Sequence, residues 1–291
     1  MPSTRGGDEG SRRGVELHYE EAGSGPPCVL VHGGPGMSHP QMLGAFAPLG
    51  DRLRLIAYEH RGHGESSRAP VETYTQRQLA EDLHGFCRAL GIERPLVLGT
   101  SAGGFVSLLY AGRYPGEPRA LMLIGTSASR GFMARATANM RRLGTPAMQE
   151  AYRALWDGSL ADPAAFRRAF ETILPMYYYD RRRCPANLAG QRFDPETRRA
   201  LIRDYAAYDA RADLAAVRVP TFVAVGRHDW ICPVEESVEI AGLIPGAELH
   251  VFERSGHSPH VEEPAALLAA LGAFLERVLD PGVDRPGETW T

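Results

Sequence analysis

Six short apolar runs, separated by longer stretches with helical spacing, constrain this chain more than any other feature. The runs are "PCVLVH" (27–32), "LRLIAY" (53–58), "PLVLGT" (95–100), "ALMLIG" (120–125), "TFVAVG" (221–226) and "ELHVFE" (248–253). Each reads as a strand. Such continuous apolar character needs burial on both faces, which a parallel sheet covered by helices supplies. An earlier segment, "GVELHYEEAG" (14–23), alternates instead and suits an antiparallel edge. Between the strands, "TQRQLAEDLHGFCRALGI" (75–92) places Leu79, Leu83, Phe86 and Leu90 three or four apart, the spacing of one helix face. "GGFVSLLYAGRYPG" (103–116) and "EEPAALLAALGAFLERVL" (262–279) read as further helices. The alternation predicts an α/β fold with a mostly parallel, doubly wound sheet and right-handed crossovers.

One region breaks the rhythm. Residues 130–212 show helical segments but no strand, and arginines there outnumber acidic residues. The stretch also gathers aromatics, among them Trp156, Phe166, Phe170 and the run Tyr177-Tyr178-Tyr179. It is expected to be an inserted helical cap on a core formed by 13–129 and 213–279. Residues 1–12 and 280–291, rich in Gly, Pro and charge, are expected to be flexible tails.

Charge and cysteine usage narrow the function. A formal net charge of -3 gives no electrostatic reason to bind nucleic acid or an anionic membrane, and all 32 basic residues are arginine. The four cysteines show no CxxC pair or metal-ligand spacing, so neither a disulfide framework nor a metal is expected. Cys28 and Cys87 read as small core residues. No apolar run suggests a secretory signal or a membrane span, so the expected location is the cytoplasm. The oligomeric state is not legible.

The chemistry concentrates in Gly99-Thr100-Ser101-Ala102-Gly103, which fits G-x-S-x-G between a strand and a helix. A nucleophile on so sharp a turn needs small neighbours, and the turn exposes its hydroxyl at the top of the sheet. The turn also aims the N–H of Ala102 and the positive end of the next helix at developing negative charge. A serine hydroxyl needs a base, and the base an orienting acid, in the chain order Ser, Asp, His for this arrangement. After "TFVAVG" comes Asp229, and after "ELHVFE" comes His257, each in a loop at the carboxyl edge of the sheet. His260 is the fallback base, or else a helix-entry residue. The loop His32-Gly33-Gly34-Pro35-Gly36 offers the N–H of Gly34 as the second oxyanion donor, and no Walker lysine follows it. His60 and His63 lack the further ligands of a zinc site. Glu59 and Arg61 are expected to brace their loop as an ion pair.

Taken together, "HGGPG" (32–36), "EHRGHGES" (59–66), "GTSAGG" (99–104), "GRHD" (226–229) and "SGHS" (255–258) resemble the α/β-hydrolase superfamily. The HGGPG form is most similar to the proline iminopeptidases. The resemblance implies the α/β-hydrolase fold, Ser101, Asp229 and His257 as triad, and Gly34 and Ala102 as oxyanion hole. It implies a cofactor-free serine hydrolase working through a covalent acyl-enzyme. Its substrate would be a small molecule or short peptide, such as one releasing an N-terminal proline. The chain departs from that family in having Ala102 rather than tryptophan after the nucleophile, and Glu59 rather than aspartate. Binding a free ammonium also calls for acidic residues, whereas the neighbour of Asp229 is Trp230. Glu171 and Asp180, flanking the tyrosine run, are the candidates, with Gly33, Trp230 and Tyr178 as further substrate-binding candidates. Two other functions stand beside this one: a carboxylesterase or lactonase, and a non-catalytic small-molecule receptor.

Overall fold

The computed structural model describes residues 14–280 apart from 39, 41, 187 and 189. Most of the two expected tails lies outside the described residues. Seven strands form one sheet: β1 (Tyr19–Ala22), β2 (Pro27–Val31), β3 (Arg54–Tyr58), β4 (Leu96–Thr100), β5 (Ala120–Ile124), β6 (Thr221–Gly226) and β7 (Glu248–Phe252). Their order is β1-β3-β2-β4-β5-β6-β7. β1 pairs antiparallel with β3, and the other neighbours are parallel.

The alternation within each apolar run divides the core. Val29, Val31, Val97, Leu121, Leu123 and Val223 face one side of the sheet, and their neighbours Cys28, Leu30, Leu96, Leu98, Met122 and Phe222 face the other. Helices cover both sides, so every central strand is buried on both faces. The helices before β5 are α1 (Met42–Phe46), α2 (Gln76–Ala89) and α3 (Ala102–Arg113). α2 starts where Thr75 caps it, its side chain accepting a hydrogen bond from the Gln78 N–H. Leu79, Leu83 and Phe86 then pack on the first face beside α3, as their spacing predicts.

Between β5 and β6 the described residues form α4 (Phe132–Leu143), α5 (Pro146–Asp157), α6 (Pro163–Ile173), α7 (Pro195–Asp204) and α8 (Arg211–Leu214), with short 3-10 turns. α9 (Val234–Leu243), α10 (Pro259–Glu262) and α11 (Pro264–Leu279) complete the chain. α11 lays Leu267, Leu271, Phe274 and Leu275 on the second face. No helix among the described residues is long and apolar enough to cross a membrane.

Strand order decides where a site can form. The chain steps from β2 outward to β3, returns across β2 to β4, and then proceeds the opposite way. The connections leaving β2 and β4 therefore diverge, and a crevice opens at the carboxyl ends of these neighbours. The HGGPG loop follows β2, and Ser101 follows β4.

Candidate active site

Ser101 closes β4 and precedes α3, with φ +52° and ψ −124°. Among the described residues only Arg94 and Ser101 adopt positive φ without being glycine. Such a conformation costs energy and persists because neighbours hold it. The Ser101 N–H donates to Ile124 O (2.9 Å), while its carbonyl accepts from Thr126 Oγ1 (2.8 Å) and the Gly104 N–H (2.9 Å). Two glycines bring backbone close to this turn. A Cβ on Gly103 would lie 2.0 Å from Val31 O, so only glycine lets α3 begin against β2. A Cβ on Gly33 would lie 2.7 Å from both Ser101 Cβ and Thr100 O, so the loop after β2 rests directly on the serine.

Three histidines shape that loop. His32 Nδ1 donates to Gly33 O (2.8 Å), and its Nε2 accepts from the His60 N–H (3.1 Å). His60 Nε2 donates back to His32 O (3.1 Å). His63 Nε2 accepts from the Gly36 N–H (2.9 Å), and Nδ1 donates to Arg61 O (2.9 Å). Burial pushes the His63 pKa down to about 4, so the ring is neutral and keeps this acceptor role at neutral pH. The pairing expected for Arg61 is corrected. Its guanidinium turns inward and binds Asp82 of α2 through two 2.5 Å contacts, because a buried cation needs a buried counter-charge. Glu59 instead accepts from the Glu65 N–H (2.6 Å) and stabilises the turn.

On the other side of the crevice, the Asp229 carboxylate is fully buried. Oδ1 accepts from the Ile231 and Cys232 N–H groups (2.9 Å each), and Oδ2 accepts from His257 Nδ1 (2.7 Å). A carboxylate can only accept, so the His257 proton sits on Nδ1 and leaves Nε2 with a free lone pair. The His257 N–H donates to Tyr177 O (2.7 Å), and its ring packs edge-on against Tyr177 at 5.2 Å. His260, the fallback, is half-buried on α10 and also lines the cavity, but desolvation of its ring pushes its pKa down to about 4, and it makes no bond to Asp229. Asp229 pairs with His257.

These residues surround a cavity of about 220 Å3, whose wall includes Gly33, Gly34, Ser101, Ala102, Tyr178 and His257. Trp230 is not on that wall. Its ring lies behind Tyr177 and Tyr152, at 5.5 and 5.8 Å, in near-perpendicular contact. Glu171 and Asp180 are absent from the wall as well, and each is held by an arginine. Glu171 pairs with Arg167 one helical turn away (2.9 Å), and Asp180 accepts from Arg182 (2.8 Å), which lowers its pKa. Three residues escaped the sequence reading. Arg198 of α7 and Cys232 line the cavity, and Glu262 accepts from both the Gly256 N–H (2.6 Å) and the Asp180 N–H (2.8 Å). Nothing marks Arg198 among the many arginines of its region. Glu262, five residues after His257, carries a weak signal as an acid beside a candidate base.

A family model described as alpha/beta hydrolase fold matches residues 26–156 and 161–264. A proline iminopeptidase, PfmaB, of Pestalotiopsis fici is 32% identical over 275 residues, 91% of this chain and 97% of that protein. A 2-hydroxymuconate semialdehyde hydrolase of a Pseudomonas species (strain CF600) is 29% identical, covering 90% and 91%. Among solved structures, a thermophilic esterase from Thermogutta terrifontis with malate bound is similar with a TM-score of 0.65 at 30% identity, covering 91% and 94%. The chain belongs to the alpha/beta hydrolase fold family and is a hydrolase.

Proposed function

We propose that the protein is a serine hydrolase in which Ser101 is the nucleophile, His257 its base and Asp229 the acid that orients His257. One observation carries this reading: the buried Asp229–His257 hydrogen bond of 2.7 Å stands beside a serine at positive φ, with His257 and Ser101 on one cavity wall. His257 Nε2 takes the Ser101 proton as Oγ attacks a carbonyl. The N–H groups of Gly34 and Ala102 stabilise the oxyanion, and His257 then protonates the leaving group. Water, activated by the same histidine, releases the acyl group.

Composition of the cavity wall favours a small ester or lactone. Among the described residues the wall holds no Asp or Glu, so a substrate with a free ammonium finds no counter-charge among them. Release of an N-terminal proline is the second reading, favoured by the 32% identity to the Pestalotiopsis iminopeptidase. Hydrolysis of proline anilide, N-acetylproline anilide and a p-nitrophenyl ester separates the two, with Ser101→Ala as the blank. Ester turnover without anilide turnover supports the first reading, and preference for the free-amine anilide supports the second. Retention of activity in Ser101→Ala defeats the assignment of Ser101 as nucleophile, and absence of both turnover and fluorophosphonate labelling of Ser101 defeats both readings and leaves the receptor.

A further inference from the structure

We infer that the substrate carries a carboxylate on its acyl side, and that Arg198 binds it. This rests on the proposed hydrolase reading and specifies its substrate class.

Among the described residues two arginines are almost fully buried, and they differ in one respect. Arg61 is 4% exposed and is neutralised by Asp82. Arg198 is 7% exposed and forms no ion pair among the described residues. Its Nε donates to Leu155 O (3.0 Å), and Nη1 donates to Pro35 O (3.4 Å). A guanidinium has five N–H groups, so these two bonds leave most of its donors uncommitted. Two aromatic rings lie against it: Cζ is 4.8 Å from the Phe166 ring centroid and 5.6 Å from that of Trp156. Rings stacked on a guanidinium leave its edge as the direction for a polar partner.

Arg198 lines the same cavity wall as Ser101 and His257, so a partner for its uncommitted N–H groups can enter from that cavity. Its contact with Pro35 sets it beside the loop that presents Gly34. Among the described residues the wall has no acidic side chain, and the nearby phenols of Tyr152, Tyr177 and Tyr205 have pKa values raised by burial, so they stay neutral. Burial also pushes Arg198 down to about 10, which still leaves it protonated at neutral pH. An unpaired buried cation is costly, and a ligand anion removes that cost. A carboxylate fits best, because two coplanar oxygens match two N–H groups of one guanidinium, and no second cation is present for a phosphate dianion. Phe132, Trp156 and Tyr205 on the wall suit a flat or ring-bearing linker between that carboxylate and the reacting carbonyl.

The test compares a matched pair, p-nitrophenyl pentanoate and mono-p-nitrophenyl glutarate, in the wild type, Arg198→Met and Arg198→Lys. The wild type is expected to favour the glutarate ester in kcat/KM by about 10- to 100-fold, the scale of a charge-assisted bond. Arg198→Met should collapse that ratio, chiefly through KM, and Arg198→Lys should restore part of it. A ratio near one in the wild type, or an unchanged ratio in Arg198→Met, overturns the inference while Ser101-dependent hydrolysis keeps the reaction class intact. Loss of all turnover in Ser101→Ala for both esters checks that class separately. If Arg198→Met does not fold, inhibition of the wild type by phenylacetate and by phenylacetamide decides. Inhibition at least tenfold tighter by the acid supports the anion site, and equal inhibition overturns it.

Discussion

Replacing Asp229 by asparagine changes one atom and tests the proposed chemistry at its most buried point. The carboxylate accepts three hydrogen bonds: two from the Ile231 and Cys232 N–H groups at Oδ1 and one from His257 Nδ1 at Oδ2. An asparagine amide has one accepting oxygen and one donating nitrogen. Placing the oxygen on the two backbone N–H groups keeps them satisfied and turns the NH2 toward His257. The imidazole must then accept at Nδ1 and carry its proton on Nε2, the wrong tautomer for deprotonating Ser101. The reverse orientation points NH2 at two buried donors, which leaves them unsatisfied at about 1–3 kcal/mol each. The first arrangement therefore wins, and the fold survives while the base is disabled. In serine proteases, where the same exchange produces the wrong tautomer, kcat falls about 10^4-fold. That is about 5 kcal/mol of barrier. The assay is kcat for a p-nitrophenyl ester in both proteins, with urea unfolding to confirm that stability changes by no more than about 2 kcal/mol. An Asp229→Asn protein within tenfold of the wild type would refute the assignment of Asp229 as the orienting acid.

Three further perturbations follow from the structure. Gly33→Ala places a methyl 2.7 Å from Ser101 Cβ and pushes the Gly34 loop outward, so kcat should fall about 100-fold with stability little altered, as steady-state kinetics will show. Asp82→Ala strands the buried Arg61 guanidinium and should cost about 3–5 kcal/mol in urea unfolding, most of it recovered when Arg61→Met is added. His63 and His260 have folded pKa values near 4 against 6.5 for an ordinary histidine, so the unfolded chain binds more protons between those values. Stability should be unaffected by these groups above pH 6.5. It should then decline toward pH 4 by about 3 kcal/mol per histidine, and His63→Gln should flatten that decline in urea titrations.

Strand positions were legible because their cause is local. A run such as "ALMLI" has no polar face, and the structure buries all five of its residues in β5. Ser101 was legible for a related reason: Gly99, Ser101 and Gly103 occupy one turn, so their meaning lies in adjacent positions. Asp229 and His257 could be placed because each follows a recognisable strand, and loops after parallel strands share one edge of the sheet. Charge pairing was much less legible. Proximity in the chain points Arg61 to Glu59, two residues away, yet it binds Asp82, which α2 carries to the same buried spot. Glu171 and Asp180 were named for their closeness to the tyrosine run, but arginines at i−4 and i+2 hold them away from the cavity wall.

What the sequence determined by itself is the set of elements and the strained turn at Ser101, because hydrophobic periodicity and turn chemistry act over a few residues. What only the tertiary structure decided is which charges meet. Burial, not chain separation, sets whether a charge must be paired, and burial emerges when distant segments close over one another. Arg198 shows the difference. In the chain it is one of many arginines, while in the fold α7 lays it beside Trp156 and Phe166, against the Gly34 loop, with no ion-pair partner among the described residues.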